Sequence, residues 1–189
     1  VFTKISGLSE NQIMGSGTIL DTARLRYGLS EHFKVAQGNI HAYVFGEHGD
    51  TSFIPWTGAY ISGLSTDEYY EEMKAHGKDV KPLDKEAMLE YVQKSGGKVI
   101  AKKGATFYAV SATVCQLVGL ILAASDSLAT VSSMLHGEYG IEDVCLSTLT
   151  LVGPNGTQGK VQMRMNKEEV ALLKKSADAL KEVIAQIEL

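Results

Sequence analysis

The sequence predicts an α+β fold in which helices are mixed with antiparallel strands. Three apolar runs of strand length, residues 130–135, 144–152 and 160–165, follow one another near the end of the chain. The last two are joined by Gly153-Pro154-Asn155-Gly156, a run of turn-forming residues. Helical patterns stand on both sides of these runs, and the sequence contains neither an internal repeat nor a Gly-x-Gly-x-x-Gly motif. Helices alternating with groups of strands are typical of the α+β class.

The first part of the chain is predicted to alternate helices with short extended segments. A first helical segment stops at Gly7, and Gly15-Ser16-Gly17 ends the short apolar pair Ile13-Met14. Thr18 is of a residue type that caps helices, so a helix is expected to begin there and to end near Gly28. The elements expected up to residue 75 are helix 1–5, strand 13–14, helix 18–28, strand 40–45, an extended stretch 53–61 interrupted by Pro55, and helix 68–75.

Two further helices are predicted from their caps. Asp84 is placed to cap a helix that reaches about Lys103, with a kink expected at Gly96-Gly97 because an interior glycine costs about 1 kcal/mol relative to alanine. Asn166 is placed to cap the last helix, where early glutamates oppose the helix dipole favourably. Apolar residues of this helix keep helical spacing at Val170, Leu173, Ala177, Leu180 and Ile184.

The most apolar stretch, from Tyr108 to Ala124, is expected to form a buried central helix that Thr106 caps and that ends by Leu128. A bilayer span needs about 20 apolar residues. Polar residues interrupt this stretch at Ser111, Thr113 and Gln116. We therefore expect no membrane partner.

Composition excludes several classes of function. The net charge is -4, with 18 basic and 22 acidic residues interspersed, so no basic stripe indicates a nucleic-acid partner. Cys115 and Cys145 lie in apolar sequence and are expected to be buried thiols of a reducing compartment. No secretory signal is present, which predicts a cytoplasmic protein. Because the chain begins with Val1, we expect it to be part of a longer protein.

A histidine in a glycine-flanked turn is the most informative local feature. His48 lies in Gly46-Glu47-His48-Gly49-Asp50, directly after an apolar run. Imidazole titrates near neutral pH, and a carboxylate beside it fixes its tautomer and favours its charged form. Asp21 and Arg24 are three residues apart in a predicted helix and so share a face. This set suits proton transfer on a small carboxylic acid, although a histidine in a polar turn can also be a plain surface residue.

Three sequence blocks resemble the L-lactate dehydrogenases, in the same order. They are residues 15–26 (GSGTILDTARLR), 46–51 (GEHGDT) and 103–106 (KGAT). The similarity runs from Val1 to the last helix. It implies that residues 1–189 are a C-terminal catalytic and substrate-binding domain of lactate/malate dehydrogenase type, without the N-terminal Rossmann domain.

The resemblance implies a role for each residue of this set. His48 would be the general acid and base that exchanges the proton of the lactate hydroxyl as hydride passes to NAD. Asp21 would orient its ring, and Arg24 would bind the substrate carboxylate through two hydrogen bonds. Arg24 has the simpler alternative of a surface arginine paired with Asp21 or Glu31.

Three more residues match family positions at the substrate or the cofactor. Thr106 would contact the substrate, and this role is compatible with its expected place as a helix cap. Ser16 and Val110 would border the nicotinamide ring, although a valine in an apolar helix is more often part of the core. The resemblance implies NAD as the cofactor and no metal.

Two basic residues match an allosteric site of the bacterial branch of the family. Arg26 lies two residues after Arg24, so in a helix it points away from the predicted active-site face. The positions of Arg26 and His41 in that branch bind the phosphates of fructose 1,6-bisphosphate at a subunit interface. The resemblance therefore implies this activator and a homo-oligomer, expected to be a tetramer; the alternative is two unrelated surface groups.

Several parts of the expected enzyme are missing from the sequence. The loop that distinguishes pyruvate from oxaloacetate, the arginine that polarises the carbonyl, and the NAD-binding fold have no counterpart here. Glu47 favours lactate over malate dehydrogenases. Two alternatives stay open, namely a malate or other 2-hydroxy-acid dehydrogenase of the same fold, and a non-catalytic carboxylate-binding or assembly domain. In either case the chain by itself is expected to be inactive.

Overall fold

The computed structural model describes residues 1–187 and has the predicted α+β architecture. The helices are α1 (Phe2–Ile5), α2 (Ile19–Phe33), α3 (Thr66–Ala75), α4 (Lys85–Lys103), α5 (Tyr108–Leu122) and α6 (Lys167–Ile184). The strands are β1 (Ile40–His41), β2 (Tyr60–Ile61), β3 (Leu64–Ser65), β4 (Ser127–Ala129), β5 (Ser132–His136), β6 (Glu142–Ser147), β7 (Thr150–Gly153) and β8 (Gly156–Lys160). They form two three-stranded sheets, β1-β2-β3 and β4-β7-β8, and the pair β5-β6, all antiparallel.

The caps predicted for α4 and α6 are confirmed. The Asp84 side chain accepts a hydrogen bond from the backbone N–H of Ala87 at 2.9 Å. The Asn166 side chain accepts one from the backbone N–H of Glu169 at 2.8 Å. α4 continues through Gly96-Gly97 without a break.

The start and length of α2 differ from the prediction. Thr18 precedes the helix, but its hydroxyl donates to the carbonyl of Val44 at 2.5 Å instead of capping the helix. The helix passes Gly28 and ends at Phe33. Leu29 and Phe33 are both buried, so packing of these side chains outweighs the helix-weakening effect of the glycine.

The strand boundaries were only partly predicted. Ile13-Met14 forms no strand, and the run 144–152 divides at Thr148-Leu149 into β6 and β7, which belong to different sheets. The third strand comes earlier than expected, since a tight hairpin pairs Gly153 with Gly156 and β8 has ended by Lys160. Apolar composition marks such runs but does not show where a chain changes sheets.

The prediction of a buried central helix is wrong for α5. Only Thr113 and Leu117 of this helix are buried, and Thr106 does not cap it, because the residue before its first turn is Phe107. The helix also ends at Leu122, well before Leu128. Much of its apolar surface is exposed, at Tyr108, Val110, Val114, Val118 and Leu122.

The exposure of α5 has a simple cause. The helix packs one side against α2 and β7, and no element within residues 1–187 covers its outer side. Cys115 lies on that outer side and is exposed, which corrects the prediction of two buried thiols; Cys145 on β6 is partly buried. None of the helices within residues 1–187 combines the length and apolarity that crossing a bilayer requires.

α2 connects two hydrophobic clusters and thereby fixes the position of Asp21. Leu25 and Leu29 pack into a cluster with the β1-β2-β3 sheet and α4. Ile19, at the other end, packs into a cluster with α5, β4 and β7. A helix held at both ends gives the polar residues of its first turns a defined direction.

Candidate functional site

Asp21 is the centre of the candidate site. It is only 4% exposed, and its two carboxylate oxygens bind different partners. His48 Nδ1 lies 2.6 Å from Asp21 Oδ2, and Arg24 Nη1 donates to Asp21 Oδ1 at 3.0 Å. The sequence spacing predicted that Asp21 and Arg24 share a helix face, and the contact with His48 across 27 residues completes the cluster.

The environment of His48 favours its protonated form. The hydrogen bond with Asp21 raises the pKa of His48 above 6.5; burial opposes the rise and the charge of Asp21 adds to it. The positive charge of Arg24 also opposes the rise, and Glu47 supports it. The His48 side chain is 64% exposed, so a ligand in solution can reach the imidazole.

The turn that carries His48 is attached to α6. Ser176 Oγ accepts a hydrogen bond from the backbone N–H of Glu47 at 2.8 Å, and the Ser176 and Thr51 hydroxyls are hydrogen-bonded to each other at 2.9 Å. Gly46 has a φ of +96°, and a Cβ there would lie 2.7 Å from Ser176 Oγ. Only glycine therefore allows this close approach of the turn to the helix.

The carboxylate of Glu47 accepts hydrogen bonds within the same turn. It accepts the backbone N–H of Thr51 at 3.2 Å and the Thr51 hydroxyl at 2.7 Å. On the other side of the turn, Gln93 of α4 donates to the backbone carbonyl of Ser52 at 2.9 Å. The turn is thus held by its own side chains and by two helices.

α2 is attached to the segment that leads into this turn. Thr22 Oγ1 accepts the backbone N–H of Val44 at 3.0 Å, and Thr18 donates to the carbonyl of the same residue. Both threonines are buried. These bonds set the distance between the helix that carries Asp21 and the turn that carries His48.

A cavity of about 310 Å³ opens beside the Asp21–His48 pair. Five of the residues predicted for the site line it, namely Asp21, Arg24, His48, Thr106 and Val110. Ser16 is not among the lining residues; it lies before α2, where its carbonyl accepts the backbone N–H of Ile19 at 3.2 Å.

Arg26 and His41 lie apart from this cavity, as the helical spacing predicted for Arg26. Arg26 Nε donates to the carbonyl of Ala42 at 3.1 Å, and its guanidinium stacks over the ring of Tyr43 at 5.0 Å. His41 precedes Ala42 and is exposed. The two basic residues therefore belong to neighbouring parts of one surface.

Sequence reasoning missed Ser176, Gln93 and Gly96. Ser176 is fully buried on the apolar face of α6, between Leu173 and Ala177. A small polar residue inside an apolar stripe is a signal that could have identified it. Gln93 and Gly96 line the cavity from α4, and no pattern in the sequence indicates that this helix packs beside His48.

No group of three or more His, Cys, Asp or Glu side chains in residues 1–187 is arranged to hold a metal ion. The candidate site consists of one ion-paired carboxylate, one imidazole and one guanidinium around a small cavity. Such a set can bind a carboxylate and exchange a proton with it or with a neighbouring group.

The fold and this site define an α+β domain in which a carboxylate, an imidazole and a guanidinium line a small cavity. The family model of the lactate/malate dehydrogenase alpha/beta C-terminal domain matches residues 18–188. The chain belongs to this family, and the resemblance noted in the sequence is confirmed.

Individual relatives agree with this assignment. The L-lactate dehydrogenase of Acetivibrio thermocellus is 44% identical over 186 residues, which are 98% of this chain and 58% of that protein. L-lactate dehydrogenase 1 of Clostridium acetobutylicum is 42% identical over 184 residues, 97% of this chain and 58% of the relative. The crystal structure of a minor L-lactate dehydrogenase from Enterococcus mundtii superposes with a TM-score of 0.90 at 29% identity, over 99% of this chain and 58% of that one. This chain thus spans little more than half of each relative.

Proposed function

We propose that residues 1–189 are the C-terminal catalytic and substrate-binding domain of an NAD-dependent L-lactate dehydrogenase that interconverts pyruvate and L-lactate. The observation that carries this proposal is the shared carboxylate of Asp21, which binds His48 at 2.6 Å and Arg24 at 3.0 Å beside one cavity. Reduction of a 2-oxo acid requires a proton donor for its carbonyl oxygen and a cation that binds its carboxylate. His48 and Arg24 can fill these two roles, and both are held by Asp21.

His48 is the proposed proton donor and acceptor. Its Nδ1–H is bound to Asp21, which leaves Nε2 as the ring nitrogen that exchanges a proton with the substrate oxygen. In pyruvate reduction the Nε2 proton moves to the carbonyl oxygen as that oxygen gains negative charge. In lactate oxidation Nε2 takes the hydroxyl proton. Asp21 stabilises the imidazolium and keeps its tautomer fixed.

Arg24 is the proposed anchor for the substrate carboxylate. A guanidinium has five N–H donors in a planar fork, and Asp21 engages Nη1 alone. The remaining donors suit a bidentate carboxylate, and the side chain is 15% exposed, so the ion pair forms where water is scarce. Thr106, which lines the same cavity, is the proposed second contact to the substrate.

The residues of this chain fit one side of a nicotinamide site. Leu20, Ile100 and Val110 give the cavity an apolar wall near His48, which suits a flat aromatic ring. Ser16 is the proposed polar neighbour of the nicotinamide ring. NAD, when bound, supplies the acceptor for the lactate hydride. Since the sequence has no glycine-rich phosphate loop, we propose that most of the cofactor is held by the part of the enzyme that this chain does not span.

We further propose that Arg26 and His41 bind fructose 1,6-bisphosphate between subunits of a cytoplasmic homotetramer. The exposed His41 beside the Arg26–Ala42 contact supports a phosphate-binding surface separate from the proton-transfer site. Arg26 stacked on Tyr43 is held in a fixed direction, and this lowers the entropy lost on binding. Two free cysteines are consistent with a reducing compartment.

A chimera tests the proposed reaction. The segment of the Acetivibrio thermocellus enzyme that this chain does not match is joined to residues 1–189, and NADH oxidation is followed with pyruvate and with oxaloacetate. We expect turnover with pyruvate, and none from the 189-residue chain alone. A folded chimera that binds NADH but reduces neither acid would reject the enzyme and favour a binding or assembly domain.

A further inference from the structure

Lys160 occupies a polar pocket that the proposed reaction does not use. It stands on β8 opposite Thr150 of β7, and its Nζ donates to the Thr150 hydroxyl at 3.1 Å. It also donates to the hydroxyl and, at 3.3 Å, to the carbonyl of Ser133 on β5. Ser133 and Thr150 are both buried, so this ammonium group links two sheets through partners that are neutral.

The pocket leaves room for a small molecule beside this amine. Its volume is about 130 Å³. Other polar residues of its wall are Glu10, Asn11, His136, Glu138 and Thr157. Glu10 is engaged with His136, whose Nε2 lies 2.5 Å from its carboxylate. The pocket is therefore reachable, narrow and nearly balanced in charge.

The surroundings of Lys160 lower the pKa of its amine. Burial lowers the pKa of Lys160 to about 8, although Glu138, Cys145 and Glu10 act in the opposite direction. An ordinary lysine has a pKa near 10.4, so at pH 7.4 about 0.1% of it is a neutral amine, against about 20% at a pKa of 8. The neutral amine is the nucleophilic form.

We propose that Lys160 is a selectively reactive lysine that takes a small acyl group from an acyl phosphate. The neutral Nζ attacks the carbonyl carbon, a C–N bond forms, the C–O bond to phosphate breaks, and inorganic phosphate leaves. The nitrogen gives its extra proton to water. The Ser133 hydroxyl is within hydrogen-bond reach of Nζ and can turn its proton toward the oxygen of the tetrahedral intermediate.

Acylation of this lysine has a structural consequence. It removes the positive charge and leaves one N–H where there were three, while Ser133 and Thr150 stay buried. The link between β5 and β7 therefore weakens, and the modification acts on the packing of the two sheets instead of on the His48 cavity.

Acetyl phosphate is the probe for the test. The folded 189-residue chain is incubated with it at pH 7.4, and peptide mass spectrometry follows acetylation of each lysine with time. Lys34, whose side chain is 76% exposed, is the internal control. We expect the initial rate at Lys160 to exceed that at Lys34 about tenfold or more, because its neutral fraction is far larger. We also expect the rate at Lys160 to reach half its maximum near pH 8, the value that burial gives this amine.

Two further measurements make the result decisive. In the chain unfolded by urea, Lys160 and Lys34 should react at similar rates, since the pocket is gone. In the Lys160→Arg variant, acetylation at Lys34 should be unchanged. Acetylation of folded Lys160 no faster than that of Lys34, or a preference that persists in urea, would overturn the proposal.

Discussion

Ser176 Oγ lies 2.8 Å from the backbone nitrogen of Glu47 and accepts its N–H, although 129 residues separate the two. The bond attaches the turn that carries His48 to the buried face of α6. Asp21 reaches His48 from α2, on another side. The imidazole is therefore positioned by two helices that are remote in sequence, and each contact can be removed separately.

Replacing Ser176 by alanine should loosen the turn. The change leaves the N–H of Glu47 without its acceptor and removes one partner of the Thr51 hydroxyl. A buried polar group left unpaired costs about 1–3 kcal/mol. Urea unfolding should show this loss, and NMR titration should show the pKa of His48 moving toward 6.5. Ser111→Ala, at an exposed position of α5, is the matched control and should be neutral. Wild-type stability and His48 titration in Ser176→Ala would show that the attachment has no effect.

Asp21→Asn should change stability in a pH-dependent way. The pKa of His48 is raised in the folded chain, so protonation of His48 adds stability that is fully present below the unfolded pKa near 6.5 and is lost as the pH rises through the folded pKa. Removing the carboxylate should thus cost more free energy of unfolding at about pH 5.5 than at about pH 9. Urea titrations at both pH values measure this. An equal loss at both would mean that His48 is not coupled to Asp21.

Arg24→Lys should weaken carboxylate binding and leave the fold intact. Lysine keeps the charge but lacks the planar fork, so the affinity for oxamate, an unreactive analogue of pyruvate, should fall about tenfold or more in the chimera with NADH bound. Calorimetric titration gives both affinities, and that for NADH should not change. Arg164→Lys, at an exposed position, is the control for the general effect of replacing an arginine by a lysine. Equal oxamate affinity in parent and variant would show that Arg24 does not bind the substrate carboxylate.

Arg26→Gln and His41→Ala should each abolish activation by fructose 1,6-bisphosphate in the chimera. A ligand with several negative charges cancels repulsion between basic groups that subunits bring together, so it favours the assembled form. Addition of the sugar bisphosphate should lower the pyruvate half-saturation of the parent and increase its tetramer fraction in sedimentation experiments. The unactivated rate should stay nearly the same in both variants. Activation that survives the double substitution would make these residues ordinary surface groups.

The parts of the fold that the sequence predicts well are those with local causes. The cap at Asn166, the early glutamates and the spacing of Leu173 and Ala177 define α6 because they act within a few residues. The shared face of Asp21 and Arg24 follows from helix geometry in the same way.

The features that were missed depend on contacts between distant segments. The apolar composition of α5 predicted burial, but nothing in a local pattern indicates that residues 1–187 leave its outer side uncovered. Thr18 is a good capping residue, yet the carbonyl of Val44 competes for its hydroxyl. The bond between Ser176 and Glu47 could not be predicted for the same reason, since its partners meet only when α6 packs under the turn.

The turnover of the His48→Ala chimera tests whether His48 transfers the proton. A general acid and base contributes about 10²–10⁴-fold, so the rate of pyruvate reduction under saturating NADH and pyruvate should fall by that amount. Binding of NADH should be retained, and circular dichroism should show an intact fold. We expect this loss of about two to four orders of magnitude if His48 transfers the proton. Turnover within a factor of about three of the parent would show that His48 is not the general acid and base.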